Sequence, residues 1–96
     1  MPKRSRSDVI HQAVIDAVQK ERVKQGVSKY RIAKETGLSL RAIGFIERGE
    51  RFPTLHTLLR IAEALKLDLG GVIREAEVLS LPKSEQTASD SKARKK

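Results

Sequence analysis

The chain has 96 residues, no cysteine and a formal net charge of +8, which leaves room for one small domain and excludes disulfides and thiolate-ligated zinc. No apolar run approaches the ~20 residues that span a bilayer, and the basic start MPKRSRSD is not followed by the hydrophobic core of a secretory signal. The charge sits at the ends: Lys3, Arg4 and Arg6 supply +3, and five cations against two acids after Ser80 supply another +3, so net charge alone is weak support for a nucleic-acid partner.

Residues 1–7 are polar and basic and read as a flexible arm. Asp8 or Ser7 can cap a first helix running to about Gln25, with Ile10, Val14, Ala17 and Val18 on its apolar face. His11 is expected on its outer side. Gly26 ends this helix, Val27 is a buried link and Ser28 caps the second helix. The capping box there is incomplete, because Arg31 stands where Glu or Gln would reach back.

Ile32 and Ala33 form the inner face of the second helix, and the break to the third falls at Thr36-Gly37-Leu38-Ser39. Gly37 can take the positive φ that closes a helix, and the Ser39 hydroxyl can accept from a first-turn N–H of the next. With only Leu38 between the two signals, the helices must cross steeply, which is helix-turn-helix geometry. Ile43 and Ile46 face inward; Ser39, Leu40, Arg41, Gly44, Phe45 and Arg48 are left on an outer stripe. A short helix presenting Arg and Phe outward is a candidate for the major groove of DNA.

Gly49 stops the third helix, Glu50-Arg51-Phe52 is a loop, and Thr54 after Pro53 caps the fourth. Leu55, Leu58, Leu59, Ala62 and Leu65 form its inner stripe, widened by Ile61. Asp68 caps a fifth helix, Leu67 is placed to staple onto Val72, and Leu69, Val72, Ile73, Ala76 and Leu79 make the apolar side. Gly70 and Gly71 weaken its first turn by roughly 1 kcal/mol each. Residues 81–96 read as a disordered basic tail, with no apolar residue but Ala after Pro82. No strand signal appears. The expectation is an all-α, five-helix domain over residues 8–80.

Nothing in this chain looks catalytic. His11 and His56 lie on different helices without a carboxylate or thiol constellation, and there is no metal-ligand spacing, glycine-rich phosphate loop or paired-carboxylate motif. The reading is not an enzyme, with no cofactor and no metal.

The motifs GVSKYRIAKETGLS and IERGERFPTLHTLLRIAEALKLDL give the chain, from about Ile10 to Leu79, a resemblance to the Cro/phage-repressor helix-turn-helix family, also called the XRE family. The Ile-Glu-Arg-Gly-x-Arg-x-Pro-Thr-Leu run directly after the turn is far more specific than a lone helix-turn-helix. The resemblance implies a compact five-helix repressor-like fold and a DNA-binding regulator of transcription. It places the base-reading positions on Ser39, Leu40, Arg41, Gly44 and Phe45, and phosphate contacts on Ser28, Lys29, Arg51 and Thr54. It pairs Arg22 with Glu47 as a structural tie between the first and third helices. Two positions depart from the family: Lys29 replaces the usual Gln after the cap, and Glu21 replaces a common Leu, so the end of the first helix is expected to pack differently.

Within that frame Arg41 is the candidate reader of guanine O6 and N7, against a plain phosphate contact. Leu40 and Phe45 can meet thymine methyl groups; Phe45 can instead fold back on Tyr30 or Phe52. Gly44 permits close approach to the duplex or is a helix defect costing ~1 kcal/mol. Lys3, Arg4 and Arg6 can follow a groove or make no fixed contact. A homodimer on an inverted repeat is expected, with Leu69, Ile73, Ala76 and Leu79 as its face. Localisation would be cytoplasmic, at the nucleoid. The alternatives are an antitoxin that also binds a toxin protein, a restriction-modification controller, and a protein-interaction domain without DNA binding.

Overall fold

The computed structural model describes residues 5–81. Within them every helix starts at a side-chain oxygen that accepts from the backbone N–H three positions on: Ser5, Ser28, Ser39, Thr54 and Asp68. These caps open α1 (Arg6–Lys24), α2 (Lys29–Thr36), α3 (Leu40–Glu47), α4 (Leu55–Leu65) and α5 (Leu69–Leu79). Each satisfies one of the first-turn donors that a helix cannot pair internally.

The first cap corrects the sequence reading. Ser5 takes the place expected of Ser7 or Asp8, accepting from Asp8 N at 3.1 Å. Asp8 instead falls in the first turn, where its charge complements the helix dipole. Residues 5–7, read as part of an arm, are thus a cap and the opening of α1. Arg6 is engaged as well: its Nε donates to Ser80 Oγ at 3.0 Å and its Nη2 to Glu77 O at 3.2 Å, tying α1 to the end of α5. The remaining arm residues and those from 82 onward lie outside the described residues.

Gly37, at φ +78°, turns the chain out of α2, and Ser39 opens α3 two residues later. A side chain at Gly37 would be strained by that φ and would bring its Cβ to 3.1 Å from Arg60 Nη2. The turn is closed from within by Thr36, whose hydroxyl donates to Ile32 O at 2.7 Å and accepts from Leu38 N at 3.3 Å. Thr36 is only 1% exposed, so its hydroxyl serves the turn and not solvent. Lys66 ends α4 in the left-handed region at φ +54°, the one non-glycine residue with positive φ among those described.

The core joins Val14, Ile15 and Val18 of α1, Val27 of the link after it, Ile32 and Ala33 of α2, Ile43 and Ile46 of α3, four residues of α4, and Leu69 and Ala76 of α5. Three sequence expectations change here. Ile15 is deeply buried while Ala17 is only half-buried, because α1 packs against α3, α4 and α5 and so buries a wider arc than one stripe. On α4 the buried set is Leu58, Ile61, Ala62 and Leu65; Leu55 and Leu59, expected inside, are 62% and 49% exposed. His11 is partly buried instead of outward. Its ring lies 4.6 Å from that of Phe52, and its Nε2 is buried without a hydrogen-bond partner.

Candidate nucleic-acid interface

The third helix is fixed to the scaffold at its C-terminal end. Arg22 of α1 donates from Nε to Glu47 Oε2 at 2.6 Å and from Nη2 to Glu47 Oε1 at 3.0 Å. Its Nη1 donates to Val27 O at 2.8 Å. The two side chains are only 11% and 10% exposed, so the fork is largely shielded from solvent. One guanidinium therefore holds together the end of α3 and the link between α1 and α2. At the other end of α3, Ser39 Oγ accepts from Ala42 N at 3.0 Å, leaving the hydroxyl proton to donate outward.

Between these anchors the inner face (Ala42, Ile43, Ile46) is buried, and Ser39, Leu40 and Arg41 are exposed. Gly44 departs from the expected outer stripe. It is buried, because the Arg48 side chain lies back across it: a Cβ at Gly44 would sit 3.0 Å from Arg48 Nη1. Phe45 is half-buried. Its ring contacts neither Tyr30 nor Phe52 as folding back would require; Phe52 stacks on His11, and Phe45 is met by guanidinium groups. The Cζ atoms of Arg41, Arg48 and Arg51 lie 5.4, 5.2 and 6.0 Å from its ring centre.

Flanking elements carry further polar groups. Ser28 and Lys29 stand exposed at the start of α2, with Ser28 Oγ accepting from Arg31 N at 3.0 Å. Thr54, exposed at the start of α4, accepts from Thr57 N at 3.1 Å. Ser28 keeps an O–H to offer a phosphate oxygen, whereas the Thr54 hydroxyl donates to Thr57 Oγ1 at 3.1 Å and would have to turn from it to reach one. Arg31 is committed to Glu35 at 2.7 Å on the same helix.

A family model described as helix-turn-helix matches residues 18–72, more than half of the chain and all of α2, α3 and α4. The chain belongs to the XRE-type helix-turn-helix family. It is a Cro/repressor-like, DNA-binding regulator of transcription, and α3 stands at the recognition-helix position of the motif. No curated protein and no solved structure matches it.

Glu21, at the end of α1, makes a polar link. Glu21 Oε2 accepts from Gln25 Nε2 at 2.8 Å, and the same nitrogen donates to Leu65 O at 2.8 Å, so the end of α1 is bonded to α4. The sequence reading placed Arg48 on the outer stripe of the third helix but missed its partner on the helix-turn-helix surface, Glu50. Arg48 shares a helical stripe with Arg41 and Phe45, as its spacing indicated. Glu50 accepts from Arg48 Nε at 3.0 Å, a pairing across the helix end that no periodicity encodes. Among the described residues no helix is long and apolar enough to cross a membrane.

Of the expected dimer face, Leu69 and Ala76 are each 5% exposed and belong to the chain's own core. Ile73 is half-buried against that core, and Leu79 is 63% exposed.

Proposed function

We propose that the chain regulates transcription as a homodimer that binds an inverted-repeat operator through the major groove. The observation that carries this reading is the exposed first turn of α3, Ser39-Leu40-Arg41, on a helix capped at its start and tied to α1 at its end. Arg41 reads guanine through O6 and N7, discriminating by roughly 1–3 kcal/mol. Leu40 and Phe45 meet thymine methyl groups, and Ser39 donates its hydroxyl. Gly44 lets the Arg48 side chain lie close to the helix axis. Ser28, Lys29, Arg51 and Thr54 hold the phosphate walls on either side. The cell compartment that fits is the cytoplasm, at the nucleoid.

One such helix spans only a few base pairs, so a symmetric pair about one DNA turn (~34 Å) apart supplies the rest of the site. Ile73 and Leu79 are the part of α5 left to meet a second copy. Selection of duplexes from a random pool tests the whole reading. The wild-type chain should enrich a palindrome containing guanine beside thymine, and Arg41→Ala should lose the guanine preference. Enrichment of the same sequence by the Arg41→Ala variant would remove Arg41 as the reader.

A further inference from the structure

We propose that Phe45 is a positioning residue whose ring gathers Arg41, Arg48 and Arg51 into one cationic array, and that Arg48 is an additional contact to DNA phosphate within it. This rests on the reading of α3 as the recognition helix. Three guanidinium groups lie within 6.0 Å of a single ring centre, coming from the start of α3, its end and the following loop. The negative face of an aromatic ring attracts cations; an aliphatic side chain of similar size does not. The apolar area of Phe45 could equally be provided by leucine, but this gathering could not.

The position of Arg48 depends on a second feature. It is the C-cap of α3, yet its guanidinium lies back over Gly44 and Phe45, so a cation from the helix end is carried onto the middle of the reading face. Gly44 makes the space: any side chain there would press on Arg48 Nη1 from 3.0 Å.

The balance of charge points to the ligand. Three cations converge, and the carboxylate paired with them is Glu50, which accepts from Arg48 Nε at 3.0 Å and Nη2 at 3.4 Å. Arg41 and Arg51 have no ion-pair partner among the described residues. An array with this excess of guanidinium groups suits more than one anionic oxygen, as the phosphates of a duplex supply. Arg48 and Glu50 are 52% and 53% exposed, so a phosphate can displace the carboxylate without unpacking the core.

The test uses the duplex enriched by the wild-type chain and measures affinity by anisotropy across a salt series. Variants are Arg48→Gln, Phe45→Leu, their combination, Phe45→Trp and Gly44→Ala, each checked by thermal melting. Arg48→Gln should weaken binding about tenfold and reduce the log–log salt slope by about 0.9. Phe45→Leu should weaken it comparably, the double variant should be little worse than either single one, and Phe45→Trp should restore most of the loss. An unchanged slope in Arg48→Gln overturns the inference, as does wild-type binding by Phe45→Leu or losses that simply multiply. If Phe45→Leu does not fold, the decision passes to Arg48→Gln with Gly44→Ala, whose methyl should displace the guanidinium and reproduce part of the Arg48→Gln loss. Wild-type affinity in Gly44→Ala then overturns the positioning. A wild-type chain that enriches no duplex defeats the recognition-helix reading itself; wild-type binding with unaffected variants defeats this inference alone.

Discussion

Arg22 and Glu47 bring the strongest single demand on stability. The pair is about nine-tenths shielded, and the Arg22 guanidinium also carries the Val27 carbonyl. Removing one partner leaves the other charge buried and unmatched, which costs about 3–5 kcal/mol in such settings. Glu47→Ala should therefore lower chemical-denaturation stability by about that amount and loosen α3 with it. Arg22→Met combined with Glu47→Leu should recover much of the loss, because neither charge then remains to be solvated. Equal instability of the single and double variants would show that the packing, and not the stranded charge, sets the cost. The pair was legible from the family motif. Its third bond, to Val27, was not, since backbone carbonyls carry no sequence signature.

At the scale of elements, the helix ends are where sequence and structure agree most closely. Ser28, Gly37, Ser39, Gly49, Thr54 and Asp68 all act where they were expected, because capping is local chemistry between residues a few positions apart. The missed cap, Ser5, obeys the same chemistry: Ser5-Arg6-Ser7-Asp8 has a capping hydroxyl three residues before an acid. Which face of a helix is buried is less local. Leu55 and Leu59 fit an apolar stripe on α4, yet α4 meets α1, α2 and α5 through a different arc. Two substitutions probe the ends. Gly37→Ala should cost about 1–2 kcal/mol, the penalty for a Cβ in the left-handed region. Lys66→Gly should raise stability by about 1 kcal/mol, since Lys66 already bears that penalty at φ +54°. Opposite signs in thermal melts are the expected pattern, and a loss in both would mean that the Lys66 side chain contributes something its exposed position does not reveal.

For the whole molecule, the decisive question is what covers the apolar surface left outside the core. Leu55, Leu59 and Leu79 are exposed, and two of the four residues expected to meet a partner are already used internally. Leu79→Asp is therefore a cleaner probe of assembly than a change at Leu69 or Ala76, which would disturb the chain's own packing. Sedimentation should show the wild type as a dimer and Leu79→Asp as a folded monomer with weakened operator binding. A wild-type chain that sediments as a monomer would remove the proposed face, and a half-site should then bind as well as the palindrome. The architecture and family were readable because the turn motif and its neighbours are contiguous in sequence. The clustering of Arg41, Arg48 and Arg51 was not, because it depends on the direction taken by long side chains from a helix and a loop.

The overlap of Arg48 with Gly44 also bears on redesign. Positions 44 and 48 are not independent letters of a code, since even a Cβ at 44 would sit 3.0 Å from Arg48 Nη1 and press that guanidinium aside. Arg51 and Glu50 join the same cluster from outside the helix. A graft meant to transfer this protein's preference to another scaffold would have to move residues 39–51 as one block. A transplanted α3 alone would bring the reader without the supports that aim it.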